Sequence, residues 1–205
     1  MAHPAPAGDW TAAARFLEYT KAADPAVPPV PYDVFPASRH QGGPTRVIPW
    51  DLSARLGCAW PATSPALLAS FVRIRAGESQ ATAGVATSHL FYVIDGAGRT
   101  RIQDRDLAWS PGDLFTVPAG AEITHVASAD TTLYWVSDAP LLAYLGVAPD
   151  RARFAPTLYR REAMLAEIAR VRAEPGAERR NRMGIILGNE ATQQTLTVTQ
   201  TLWSL

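Results

Sequence analysis

Residues 84–127 read GVATSHLFYVIDGAGRTRIQDRDLAWSPGDLFTVPAGAEITHVA, and the reading of this stretch decides the fold. Short runs at 90–94 (LFYVI), 99–103 (RTRIQ), 106–110 (DLAWS), 113–118 (DLFTVP) and 122–127 (EITHVA) are separated by gaps, most of which carry glycine or aspartate. Apolar side chains that alternate with polar ones mark strands with one buried face. Gly96, Gly112 and Gly120 allow the positive φ that tight turns demand, and Pro118 ends a strand because it has no N–H to offer a neighbour. The pattern predicts a small antiparallel barrel or sandwich.

The same signal extends outward. RVIPWDL follows the turn-rich RHQGGPT, LLASFVRIR occupies 67–75, and TTLYWVS occupies 131–137. Upstream, Trp10, Ala13, Phe16, Leu17 and Thr20 fall at helical spacing within 9–23, with Asp9 as N-cap. From Asp24 to Pro36 the chain is rich in proline, which predicts an extended arm across the barrel surface. Downstream, PLLAYLGV predicts a short helical turn. Residues 160–174 put Met164, Leu165, Ile168 and Val171 on one helical face, and MGIILGN and TLTVTQTLWSL predict two closing strands. The expected organisation is a helix and arm over 1–44, a barrel over 45–148, and a helix with strands over 149–205.

Composition narrows the function. Nineteen basic residues balance 19 acidic ones, so no net positive field exists to draw nucleic acid or a membrane surface. MAHPAPAGDW lacks the basic start and apolar run of a secretory signal, which predicts a cytoplasmic protein. The single cysteine, Cys58, has no partner for an internal disulfide and reads as an apolar filler. The uncapped apolar run at Trp203–Leu205 and the proline arm predict self-association into a homo-oligomer.

In its glycine and proline skeleton the segment resembles the two motifs of the cupin superfamily. His89 is followed by six residues and Gly96, Gly112 leads to Pro118 and Gly120, and fifteen residues separate Gly96 from Gly112. The implied fold is a mainly β jelly-roll barrel. Over roughly residues 45–205 the chain is similar to the N-terminal half of two-barrel cupins related to gentisate 1,2-dioxygenase and 1-hydroxy-2-naphthoate dioxygenase. The stretches that carry this are ATSHLFYVIDGAGRT, LAWSPGDLFTVPAG, TTLYWVSDAPLLAYLGV and NRMGIILGNEATQQTLTVTQTLWSL. That resemblance implies a non-catalytic barrel, with 149–205 leading towards a second, histidine-rich barrel that this sequence does not contain.

The family binds its metal through two histidines and a glutamate of the first motif and one histidine of the second. Motif counting places Ala83, Val85, His89 and Ile123 at those positions, with His125 two residues beyond Ile123. Two readings follow. His89 and His125 hold a metal, Fe(II) by resemblance, together with water or a carboxylate such as Glu122 or Asp113. Alternatively both are ordinary barrel histidines satisfied by hydrogen bonds, and the barrel carries no cofactor; the loss of three ligands favours this reading. The first makes the chain a stand-alone small-molecule-binding or metal-dependent cupin, the second the supporting barrel of a ring-cleaving enzyme. A small aromatic acid is the ligand that the resemblance implies. Trp109, Tyr92, Tyr134 and Trp135 read either as pocket lining or as core, with core favoured.

Overall fold

The computed structural model describes residues 10–20, 31–191 and 203–204, the last two by backbone alone. Met1–Tyr32 form one compact unit and Asp33–Leu205 the other. In the first unit, the helix expected over 9–23 is not continuous: Trp10–Ala13 make a turn, Ala14–Glu18 are irregular, and helical geometry begins only at Tyr19. The described side chains there are exposed, and a short helix without a packed face is marginal in water. Asp9 and residues 21–30, which include most of the proline arm, lie outside the described residues.

The second unit holds two antiparallel sheets. The larger orders its strands β1 (Arg46–Pro49), β2 (Leu68–Ile74), β9 (Thr131–Ser137), β4 (Ser88–Asp95), β7 (Leu114–Pro118) and β10 (Thr157–Tyr159). The smaller orders β3 (Ser79–Thr82), β8 (Ile123–Ala127), β5 (Gly98–Ile102) and β6 (Arg105–Trp109). Neighbours in space are mostly distant in sequence, and the two sheets face each other as a jelly roll. Pro49 sits on an edge strand, where its missing N–H costs nothing.

Between the sheets lies one apolar core, built from Val72, Phe91, Val93, Trp109, Phe115, Val117, Ile123, Leu133 and Trp135 among others. Alternation supplies it directly: in β4, Phe91 and Val93 point inward while Leu90 and Tyr92 point outward. The outer face of the large sheet is covered as well. Met164 of the helix Arg161–Arg172 and Leu187 pack on Leu90, Leu114 and Val136. Leu165 of that helix is 49% exposed and does not join its predicted apolar face. The extended residues before Ala37 lay Phe35 on Phe71 at 4.5 Å between ring centroids, so the end of the arm does cover the barrel surface.

A helix over Ala139–Leu145 follows β9 as the sequence predicts. Strands β3 and β10 are additions: SQAT is too polar to alternate, and three residues are too short to show a period. The C-terminal Trp203–Ser204 pairs its backbone with Ile186–Leu187 of the same chain. Cys58 is half-buried, its thiol 3.3 Å from the carbonyl of Trp60. Among the described residues no helix is long and apolar enough to cross a membrane.

The turn glycines are needed for their geometry. At Gly96 φ is 82°, and a Cβ would stand 2.1 Å from Thr131 Oγ1 and 2.4 Å from the Asp130 carbonyl. Left-handed strain and a collision with backbone act together there. Gly96→Ala is expected to cost about 2–4 kcal/mol, read from the urea midpoint; a cost below about 1 kcal/mol would mean that the β4–β5 turn can reshape.

Candidate functional site

Both predicted site histidines lie inside the barrel, on facing sheets. His125 sits on β8, opposite Thr100 of β5 and Gln80 of β3. Strand alternation turns Ile123 and His125 to the same face, and both are buried. His125 is completely enclosed, and both its ring nitrogens are occupied: Nδ1 lies 2.8 Å from Thr100 Oγ1 and Nε2 lies 3.0 Å from Thr82 Oγ1. Trp109 donates its indole N–H to Thr100 Oγ1 at 2.8 Å. Each of the four strands of the small sheet thus contributes one member of a belt that runs Trp109, Thr100, His125, Thr82. With Thr100 donating its hydroxyl hydrogen bond to His125 Nδ1, the ring donates from Nε2 to Thr82, and every bond in the belt points the same way. The edge of the Phe91 ring closes over the imidazole at 4.7 Å between centroids.

On the facing sheet, His89 of β4 is buried between Val117 of β7 and Ser137 of β9. Trp135 donates its indole N–H to His89 Nδ1 at 3.2 Å. With Nδ1 accepting, the neutral ring carries its proton on Nε2. Burial pushes His89 down to about 4, although Asp138 acts in the opposite sense. Burial pushes His125 further, to about 3, with His89 adding a smaller contribution. Both rings are therefore neutral at physiological pH.

A neutral imidazole has one lone pair on nitrogen to give a metal. In His89 that lone pair accepts Trp135, and in His125 it accepts a threonine hydroxyl. A transition ion would have to break one of these buried bonds at each ring, and it would still lack a third ligand. The other positions do not supply one. Thr82 ends β3, and the loop after it carries Ala83 and Val85 outward, Val85 being 59% exposed. The inward positions are instead Thr82, which bonds His125, and Gly84, where a Cβ would lie 3.8 Å from His89 Cε1. Motif counting was thus displaced by one residue relative to the strand. Ile123 is core, and Glu122 is exposed.

Asp113 is buried but committed. It accepts Arg160 Nη1 at 2.8 Å and the backbone N–H groups of Arg161 and Ser110 at 2.9 and 3.0 Å, which ties the β6–β7 turn to the helix Arg161–Arg172. Among the described residues no group of three or more His, Cys, Asp or Glu converges on a point. The donor set of this barrel does not fit Fe(II) or another first-row ion.

Trp109 and Trp135 belong to the inner core, and Tyr92 and Tyr134 to the packing outside the large sheet, so the four aromatics do not share a pocket. Sequence reasoning did not single out Thr82 and Thr100. In strands such residues read as ordinary β-branched filler, and only the register brings their hydroxyls to the ring.

No family model matches the chain. It is 32% identical over 95 residues to 5-aminosalicylate 1,2-dioxygenase of Comamonas sp, a match that covers 46% of this chain and 25% of that protein. It is 35% identical over 72 residues to gentisate 1,2-dioxygenase 1 of Aquipseudomonas alcaligenes, covering 35% of this chain and 21% of that one. The chain therefore spans about a quarter of the length of the curated relatives it matches. Among solved structures, salicylate 1,2-dioxygenase from Pseudoaminobacter salicylatoxidans, seen with gentisate, gives a TM-score of 0.45 at 24% identity, over 62% of this chain and 30% of that one. A cupin superfamily protein from Desulfitobacterium hafniense gives 0.39 at 17% identity, over 49% and 84%. The chain is thus a two-sheet antiparallel jelly roll that resembles the aminosalicylate and gentisate 1,2-dioxygenases in sequence over part of its length.

Proposed function

We propose that this barrel is the non-catalytic, supporting barrel of a gentisate-dioxygenase-like ring-cleaving protein of two cupin barrels, working in the cytoplasm as part of a homo-oligomer. The observation that carries the reading is the closure of the interior. Both imidazole lone pairs are spent on internal hydrogen bonds, and phenyl and indole rings fill the space around them. An interior built this way offers no open coordination position for oxygen or an aromatic acid. It offers stiffness, because a fully paired polar belt in a dry core holds one register. The sequence matches to ring-cleaving dioxygenases support the family half of the reading.

Metal uptake tests it. Purified protein is incubated without oxygen with Fe(II), Mn(II) or Zn(II), desalted, and analysed for metal, with His89→Ala and His125→Ala alongside. The expected result is well under one ion per chain and no ring-cleavage absorbance with gentisate. One tightly held ion per chain that disappears in both variants would overturn the reading in favour of a metal-dependent cupin using His89 and His125.

A further inference from the structure

Outside the barrel, a cleft of about 270 Å³ opens between the helix Ala139–Leu145 and the segment that leads away from it. Leu142, Val147 and Phe154 give it an apolar wall, and Arg151 and Arg153 stand at its rim. Several arginines in this protein have assigned work: Arg73 pairs with Asp130, Arg99 and Arg101 with Asp106, Arg160 with Asp113, Arg170 with Glu167, and Arg180 with Glu174. Arg151 and Arg153 have no ion pair or hydrogen bond among the described residues, and Asp150, which precedes them and also lines the cleft, is within ion-pair distance of neither. Two uncommitted guanidiniums over one apolar hollow form an arrangement with a chemical meaning: planar forks that match a carboxylate, and a wall that takes the rest of the molecule out of water.

We propose that this cleft binds a small carboxylate with an apolar body, its charged end on Arg151 and Arg153 and its hydrocarbon against Leu142, Val147 and Phe154. The volume sets the size. Sites for drug-sized ligands run from about 300 Å³ upward, so a hollow of about 270 Å³ suits a single ring or a short branched chain. The buried Asp138 carboxylate sits behind Thr87, which donates to it through both its N–H and its hydroxyl. That negative charge repels an anion that enters too deeply, and it orients the carboxylate towards the arginine rim.

Titration with benzoate and with cyclohexanecarboxylate, followed by chemical-shift changes in the full chain, tests the proposal, with benzamide as the uncharged comparison. Both acids are expected to saturate a site that includes Leu142 and Phe154, and benzamide to bind at least tenfold more weakly. The double variant Arg151→Gln, Arg153→Gln is expected to weaken both acids at least tenfold without moving the thermal midpoint, since both side chains are exposed. Binding unchanged in that variant, or shifts that rise linearly without saturating, would overturn the proposal. A negative result leaves the closed interior standing, because metal uptake reads the interior and carboxylate titration reads the cleft.

Discussion

Between pH 7 and pH 5 the protein is expected to lose about 4 kcal/mol of stability, with the whole loss assigned to His89 and His125. Both are buried and neutral in the folded state, held at about 4 and about 3 against an ordinary value of 6.5. Below pH 6.5 the unfolded chain takes up protons that the folded chain refuses, so the unfolded state is favoured as the pH falls. Each histidine contributes roughly 1.4 kcal/mol per pH unit from 6.5 down to its folded value, and nothing further above 6.5. Asp51, Asp106 and Asp130 also have lowered values, but from an ordinary 3.8, and Glu167 from 4.5, so their contributions fall away only at lower pH. The interval from 6.5 to 5 therefore reads the two histidines. Urea midpoints at half-unit steps of pH measure it, and His125→Leu is expected to halve the slope whatever it does to the absolute stability. A midpoint that stays flat from pH 7 to pH 5 would show that the rings are wet or already charged, and the closed interior would fall with that result.

Those two histidines also show how far the sequence carries. The positive-φ glycines and Pro118 mark turns by a constraint that no neighbour can lift, so the places where the chain crosses between the sheets are legible in the order of residues alone. Strands β2, β4 and β9 are legible as well, though as near-continuous apolar runs, because both faces of the large sheet are covered. What is hidden depends on register. His125 is visible as a histidine two residues past a motif position, but its partners stand 25 and 43 residues away along the chain and meet it only through the pairing of β3, β5 and β8. The first motif misleads for a related reason. Ala83 and Val85 occupy the counted positions, yet β3 stops at Thr82, and the inward parity falls on Thr82 and Gly84. Counting by twos from the buried end of the strand finds them, but only once SQAT is known to be a strand. The helix over 9–23 fails differently: helical spacing states what a segment would do with a surface to bury against, and the described side chains of that segment are exposed.

Thr100→Val is expected to destabilise the protein by about 2–5 kcal/mol, one of the largest effects available to an isosteric substitution in this fold. The hydroxyl of Thr100 serves two buried neighbours, accepting from Trp109 Nε1 and meeting His125 Nδ1. Valine keeps the shape, so no cavity opens and no neighbour has to move. What changes is that an indole N–H and an imidazole nitrogen, both enclosed, lose their partner at once, and each unmet group costs about 1–3 kcal/mol. The comparison is Thr132→Val. Thr132 Oγ1 is equally buried and has no hydrogen-bond partner among the described residues, so its removal is expected to leave stability unchanged or raise it by up to about 1 kcal/mol. The same substitution thus changes sign between two buried strand positions according to the bonds the hydroxyl makes. A second readout fixes the cause: the Trp109 indole proton, buried and hydrogen-bonded to Thr100, is expected to exchange faster in Thr100→Val and not in Thr132→Val. Equal stability of the two variants would mean that the belt contributes nothing beyond shape, and the structural role assigned to His125 would pass to ordinary core packing.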